Sequence, residues 1–465
     1  MQEKVEWEDV QGIVLSGYGE LLDSAYLLWR FQPDDLPRKK KWLSNLATRL
    51  TPSRPGPSSK TQPAMNLALT ASGLRRLGME EPTLNSFSFE FLEGMAPARA
   101  PGTPIPRRTN ILGDLAASSP EFWDWGGWNE KTRDIDGLLM LFAEKGNLEK
   151  LIEAEIAAMH GIADGKPIVL RGQLFSDKKE HFGFADGLSQ PKIEGRPKRR
   201  RDGNSRKEKS EIKLGSTVEP GEFLLGYQNE RRARITNGNG RDIRRNGSYL
   251  VFRQLEQDVP AFNAFVSDVA KKLGETEDWV AARLLGRCKN GDPLVAEKPN
   301  GSEEDAKNNF LYYYEDRSGL QCPIGAHIRR ANPRDSLGPD PETALRLSKM
   351  HRIIRRGRPY GERWDPNAAN ADGEKAERGM LFIALNADIA GQFETIQHSW
   401  INNPRFNGLY TGTDPISHFP DGEGITIQSR PANIRIDRPK PFVRVRGGAY
   451  FFLPGIRALR DIASA

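Results

Sequence analysis

Gly183-Phe184-Ala185-Asp186-Gly187, continuing as Leu188-Ser189-Gln190-Pro191, sets one carboxylate between two glycines. Glycine tolerates sharp turns and lets a backbone approach a flat ligand closely, so Asp186 can lean over a bound group with Gly187 leaving room beside it. A carboxylate presented that way can carry protons. Asp-Gly is also an ordinary turn dipeptide. The chemical reading therefore depends on whether the chain supplies partners for Asp186.

The chain has 465 residues, of which 37% are hydrophobic and 28% charged. That composition fits a soluble globular protein, and the length exceeds what one hydrophobic core usually serves. We expect two domains, residues 1–218 and residues 219–465. No apolar run reaches the roughly 18 residues of a membrane span, so no membrane association is expected. The acidic start, Met1 to Asp9, lacks the apolar segment of a secretory signal. Two cysteines, Cys288 and Cys322, make no disulfide framework, and a cytoplasmic home follows as the expectation. The net charge of +6 is concentrated in a run from Arg196 to Lys209. Acidic residues interrupt that run and aromatic residues do not interleave it, so a solvated loop is expected rather than a nucleic-acid surface.

Strand-like and helix-like patterns alternate. Ala25 to Phe31, Asn66 to Thr70, Leu138 to Phe142 and Ile168 to Leu170 read as strands. Between them lie helices with Trp42, Leu43, Leu46 and Leu50 on one face, with Leu74 and Leu77, and with Leu148, Leu151, Ile152 and Ile156 behind an Asn147 cap. Residues 81–128 read as a long irregular excursion with short helices. In the second half, Glu222 to Tyr227, Ser248 to Arg253 and Met380 to Leu385 read as strands. Asp258 caps a helix bearing Phe262, Phe265, Val266 and Val269. Ile389, Phe393, Ile396 and Trp400 sit at helical spacing. The pattern favours an α+β fold built from two related halves.

Two further segments offer partners for Asp186. In Cys322-Pro323-Ile324-Gly325-Ala326-His327-Ile328-Arg329-Arg330, small residues leave the His327 imidazole approachable, and Arg329 suits an anionic ligand. A planar macrocycle with two propionates meets both descriptions. A histidine bonded into the core is the alternative. In His351-Arg352-Ile353-Ile354-Arg355-Arg356-Gly357-Arg358-Pro359-Tyr360-Gly361, Arg355 follows two core-type residues and needs an anionic partner. A basic strand edge is the alternative there.

Taken in order and spacing, these three segments resemble the dye-decolorizing peroxidases, as do Asp9 to Gly12, Ala68 to Leu74, Gly221 to Tyr227, Asn246 to Arg253 and Gly286 to Leu294. The resemblance spans nearly the whole chain. It implies two ferredoxin-like domains, each an antiparallel sheet with packed helices in the manner of a dimeric α+β barrel, and one heme b per chain. It implies that His327 ligates the iron, that Asp186 is the distal acid/base and that Arg355 is the distal arginine. Met380 and Phe382 fall where the family lines the distal pocket, and Asp414 falls where it often orients the axial histidine. Arg329 and Gly187 complete the expected cofactor contacts. The partners implied are hydrogen peroxide and an organic electron donor such as a dye or phenol, and self-association is frequent in the family.

On this reading Asp186 moves a proton from the inner to the outer oxygen of peroxide, and Arg355 stabilises the charge that develops. An aspartate has an ordinary pKa near 3.9, so turnover is expected to be better at about pH 4 to 5 than at 7. Bulky donors need a route for electrons, and Tyr360 is the expected surface residue, with Trp364 and Trp400 behind it. Two other readings stay open at this stage. One is a heme-carrying protein with little turnover, which needs His327 but not Asp186. The other is a binding protein that uses the basic run.

Overall fold

In the computed structural model, which describes residues 3–53, 62–100, 102–130, 132, 134–197, 217–234, 242–295, 307–366, 377–417, 423–437 and 440–465, strands from the two halves of the chain join in one antiparallel sheet. The first half supplies β1 (Asp23–Trp29), β2 (Ala64–Leu69), β3 (Gly137–Ala143) and β4 (Ile168–Gln173). Two short strands, β5 (Lys192–Ile193) and β6 (Thr217–Val218), pair with each other in parallel outside that sheet. The second half supplies β7 (Ser248–Gln257), β8 (Ile354–Arg355), β9 (Arg358–Tyr360) and β10 (Gly379–Asn386). After a separate ribbon of β11 (Gly424–Ile427) and β12 (Ile434–Asp437) comes β13 (Val443–Leu453).

The strand order is β4-β1-β3-β2-β13-β7-β10-β8, with β9 also paired to β10. The halves meet at the pairing of Phe452 with Leu69. Alternation along the strands places successive side chains on opposite faces. On β1, Ala25, Leu27 and Trp29 enter one core, which the helix Leu36–Ala47 covers with Leu43 and Leu46. Tyr26 and Leu28 enter a second core, shared with Phe252, Leu381 and Ile383 of the other half. There the rings of Tyr26 and Phe252 stack at 5.2 Å, so the two halves of the sheet face each other. The remaining face of the second half carries Arg253, Leu255, Gln257, Met380 and Phe382, which line a cavity. This is the α+β fold that the sequence predicts, with both faces of the strands buried.

Local expectations hold where caps and alternation are strong. Asp258 accepts a hydrogen bond from the Ala261 N–H at the start of helix Val259–Leu273, and Gly274 ends that helix at φ 68°. The excursion over residues 81–128 contains only short helices. Three expectations need correction. Glu222 to Tyr227 is not a strand: Pro220–Glu222 forms a 3₁₀ turn, and the chain then continues irregularly into the core. Proline and glycine at its start favour the turn, and burial explains the apolar run equally well. Asn147 makes no side-chain capping bond. Residues Ala390–Glu394 and Ile396–Ile401 wind as π-helix. The Glu394 N–H bonds to the Ile389 carbonyl and the Asn402 N–H to that of Gln397, one residue longer than an α-helical step. From residue 198 onward, the basic run lies outside the described residues. No helix of the described residues is long and apolar enough to cross a membrane.

Candidate active site

The cavity encloses about 450 Å³ and is lined by Asp186, His327 and Arg355 together. That volume lies in the ordinary range for a small-molecule or cofactor site. Residues about 140 and 170 positions apart in the chain thus share one chamber, and each is placed by a different kind of local structure.

Asp186 stands on a turn. Gly183 and Gly187 have φ of 92° and 80°, a left-handed backbone that strains other residues. The Asp186 N–H bonds to the Lys178 carbonyl at 3.0 Å, and its Oδ1 accepts the Gly187 N–H at 2.6 Å. Arg355, at the end of β8, lies with its Nη1 3.9 Å from Asp186 Oδ1. Its Nη2 donates to the Leu188 carbonyl at 2.6 Å, and its own N–H bonds to Gln190 Oε1. Both side chains remain open to the chamber, at 36% and 40% exposure.

His327 begins the short helix His327–Ala331. Its Nδ1 bonds to Asp414 Oδ2 at 3.1 Å, which leaves Nε2 for another partner. Asp414 is fully buried, and its Oδ1 also accepts from Ile416 N, Ser417 N and Ser417 Oγ. Burial alone would raise the Asp414 carboxyl, but the His327 imidazole, the Arg330 guanidinium and the Ser417 N–H hold it down at about 2. An ionised carboxylate behind an imidazole fixes the ring's orientation and raises its basicity as a metal ligand.

Met380 and Phe382 line the chamber, with Phe393, Ile396 and Trp400 from the π-wound segment. Arg329 does not. It is fully buried elsewhere, bonded to Asp316 Oδ2 at 3.1 Å and to the Cys322 carbonyl at 2.7 Å, with its guanidinium over the Tyr312 ring. Adjacent helical residues point in different directions, and this one points into a structural core. Arg330 is also structural. It bonds the carbonyls of Gly325, Trp400, Asn403 and Gly412, tying the His327 helix to the π-wound segment and to the approach to Asp414. Gly187 adjoins the chamber through its bond to Asp186, but is not among the lining residues. Tyr360 is not on the surface: it is 7% exposed, ends β9 opposite Gly379 of β10, and burial pushes its hydroxyl well up. Trp400 is the half-buried aromatic that both lines the chamber and adjoins the exposed Ser399, and its ring lies edge-on to His351 at 5.1 Å.

Sequence reasoning missed the cationic end of the chamber. Arg287 Nη2 and Arg334 Nη2 donate to Ser189 Oγ at 2.8 and 3.0 Å, and Arg352 Nη2 donates to the Ser189 carbonyl at 2.8 Å. All three line the chamber. Burial and the nearby charges of Arg334 and Arg355 lower Arg287 to about 10 and Arg352 to about 9. The guanidiniums remain cationic at neutral pH but crowded, and a carboxylate-bearing ligand relieves that crowding. Arg287 and Arg352 lie in segments quoted above, and Arg334 stands four residues past Arg330; their convergence on Ser189 is the new information. Apolar walls, a histidine backed by an ionised carboxylate, and an arginine cluster fit a heme with its two propionates.

No family model matches the chain. Among curated proteins, it is 31% identical to a multifunctional dye peroxidase from an Amycolatopsis species, over 86% of this chain and 82% of that one. It is 29% identical to a dye-decolorizing peroxidase from Exidia glandulosa, over 97% and 86% of the two chains. Among solved structures, a fungal DyP-type peroxidase from Auricularia auricula-judae superposes with a TM-score of 0.78 at 25% identity, covering 100% of both chains. A dye-decolorizing peroxidase in complex with 2,6-dimethoxyphenol gives 0.76 at 25% identity, covering 99% of this chain and 100% of that one.

Proposed function

Since this chain belongs to the dye-decolorizing peroxidase family and is a hydrogen-peroxide-dependent oxidoreductase, we propose that it reduces peroxide in the Asp186–His327–Arg355 chamber and oxidises dyes, phenols or similar one-electron donors. The observation that carries this reading is the convergence of a carboxylate-backed histidine with an open Asp/Arg pair on one chamber. Heme b, one per chain, supplies the iron redox chemistry when bound.

In this reading His327 Nε2 would hold the iron of the heme, and Asp414 holds the imidazole by its Nδ1–H. Arg287, Arg334 and Arg352 receive the propionates. Asp186 would accept a proton from one oxygen of peroxide and return it to the other, which could then leave as water, while the bound heme would supply the two electrons and take up the remaining oxygen. Arg355 presents guanidinium N–H groups to the negative charge that develops between the oxygens. Met380 and Phe382 keep competing water from that side. Trp400, rather than the buried Tyr360, carries electrons from donors too large to enter.

The two-domain division at about residue 218 belongs to the same proposal, as does residence in the cytoplasm, where the exposed free thiol of Cys288 would persist. Peroxide turnover of Asp186→Asn and Arg355→Leu tests the mechanism. Loss of roughly 10²-fold or more in each is expected. Wild-type rates in both would refute it.

A further inference from the structure

Glu180 lines the same chamber, yet the proton transfer described above does not use it. Residues 179–185 form a closed turn. Lys179 bridges Ala185, the Glu180 N–H bonds to the Phe184 carbonyl at 2.9 Å, and the Gly183 N–H bonds to the Glu180 carbonyl at 3.0 Å. The Glu180 carboxyl fills the inside of this turn. Its Oε1 accepts from the Phe184 N–H at 3.0 Å, and its Oε2 accepts from the Phe182 N–H at 2.9 Å. From β7, Gln257 Nε2 donates to the same Oε2 at 2.8 Å. One carboxyl group therefore gathers two backbone donors of the turn and ties them to the sheet. The rings of Phe182 and Phe184 anchor the outside of the turn on Phe262.

Asp186 is the residue that follows this turn. Its backbone is held through Lys178, and that of Ala185 through the Lys289 carbonyl. The position of the Asp186 carboxylate in the chamber is thus inherited from the 179–185 turn. We propose that Glu180 is a positioning residue: its enclosed carboxyl braces the turn from inside and so fixes where Asp186 stands. This rests on the reading of Asp186 as the proton-transfer group.

The electrostatics agree with the geometry. Burial is the main influence raising the Glu180 carboxyl above its ordinary range, the N–H donors and Gln257 oppose it, and the Asp186 charge raises it further. Gln257, the partner from the sheet, is neutral, and the charge of Asp186 bears on Glu180.

The test combines spectroscopy with kinetics. In infrared spectra followed against pH, the carboxylic C=O stretch absent from Glu180→Gln reports Glu180 protonation. Its midpoint is expected to fall in Asp186→Asn, which removes a neighbouring like charge. In the heme-loaded enzyme, Glu180→Ala is expected to lose about a hundredfold in kcat/KM for peroxide, the scale of a 1 Å misplacement, with the KM of the organic donor unchanged. Glu180→Gln keeps the shape and an acceptor oxygen and should recover most of that loss. An unmoved Glu180 midpoint in Asp186→Asn overturns the placement of the Asp186 charge beside Glu180. A folded Glu180→Ala enzyme with wild-type peroxide kinetics overturns the positioning role. A wild-type peroxide rate in Asp186→Asn instead contradicts the catalytic reading of Asp186, and this role with it.

Discussion

The His327 wall and the Asp186 wall of the chamber are built to opposite standards. Behind His327, Asp414 is fully buried and takes bonds from the imidazole, two backbone N–H groups and a hydroxyl. Arg330 locks the surrounding carbonyls together. Across the chamber, Asp186 is held by its backbone, while among the described residues its carboxylate meets the Gly187 N–H and a guanidinium 3.9 Å away. A group that holds a cofactor gains from having every bond made before the cofactor arrives. A group that moves protons needs unfilled hydrogen-bonding capacity when the substrate arrives. The contrast therefore supports the proposed roles, in which the saturated wall holds the cofactor and the open wall reacts.

If that contrast is right, perturbing the two walls breaks different things. His327→Ala should have the largest effect, abolishing the axial-histidine signature in the absorption spectrum of the heme-loaded protein. An unchanged ligand-field spectrum would remove His327 from its role. Asp414→Asn should leave heme bound with weaker ligation and reduce activity or affinity by about 10- to 100-fold, the range for partners of a metal-ligating histidine, measured by heme titration and peroxide turnover. Trp400→Phe should lower turnover of bulky dyes while leaving the peroxide step and small-phenol oxidation near wild type; equal losses for both donor sizes would assign Trp400 to packing.

A smaller effect tests the support beneath the open wall. The Glu222 carbonyl accepts from Gln392 Nε2, which also holds the Arg352 carbonyl three residues before Arg355. Burial raises the Glu222 carboxyl to about 7. A raised carboxyl contributes stability below its unfolded pKa, near 4.3, and that contribution is lost as pH rises through about 7. Glu222→Gln should flatten this decline, read as urea midpoints at about pH 5 and pH 8. A decline as steep as in the wild type would assign it to other groups.

Much of the site was legible because short motifs carry it. Asp186 between glycines, His327 among small residues and Arg355 after two isoleucines each announce a local geometry, and the structure brings the three to one chamber. Arg329 misled because sequence shows that two arginines follow His327, but not that both turn into packed protein. Tyr360 misled for the same reason, since a three-residue strand says nothing about what covers it. The π-wound segment defeated a reading based on a 3.6-residue period, although it still brought Phe393, Ile396 and Trp400 to the chamber. Convergence of Arg287, Arg334 and Arg352 on Ser189 depends on contacts between distant segments, which no local pattern encodes.

The most direct test is the single-turnover reaction of heme-loaded Asp186→Asn with hydrogen peroxide, followed by stopped-flow absorption from about pH 4 to 7. The account predicts a resting spectrum like that of the wild type, because the His327 wall is untouched, and a peroxide rate constant lower by roughly 10² to 10⁴. A wild-type rate constant with that same spectrum would contradict the division of labour between the two walls.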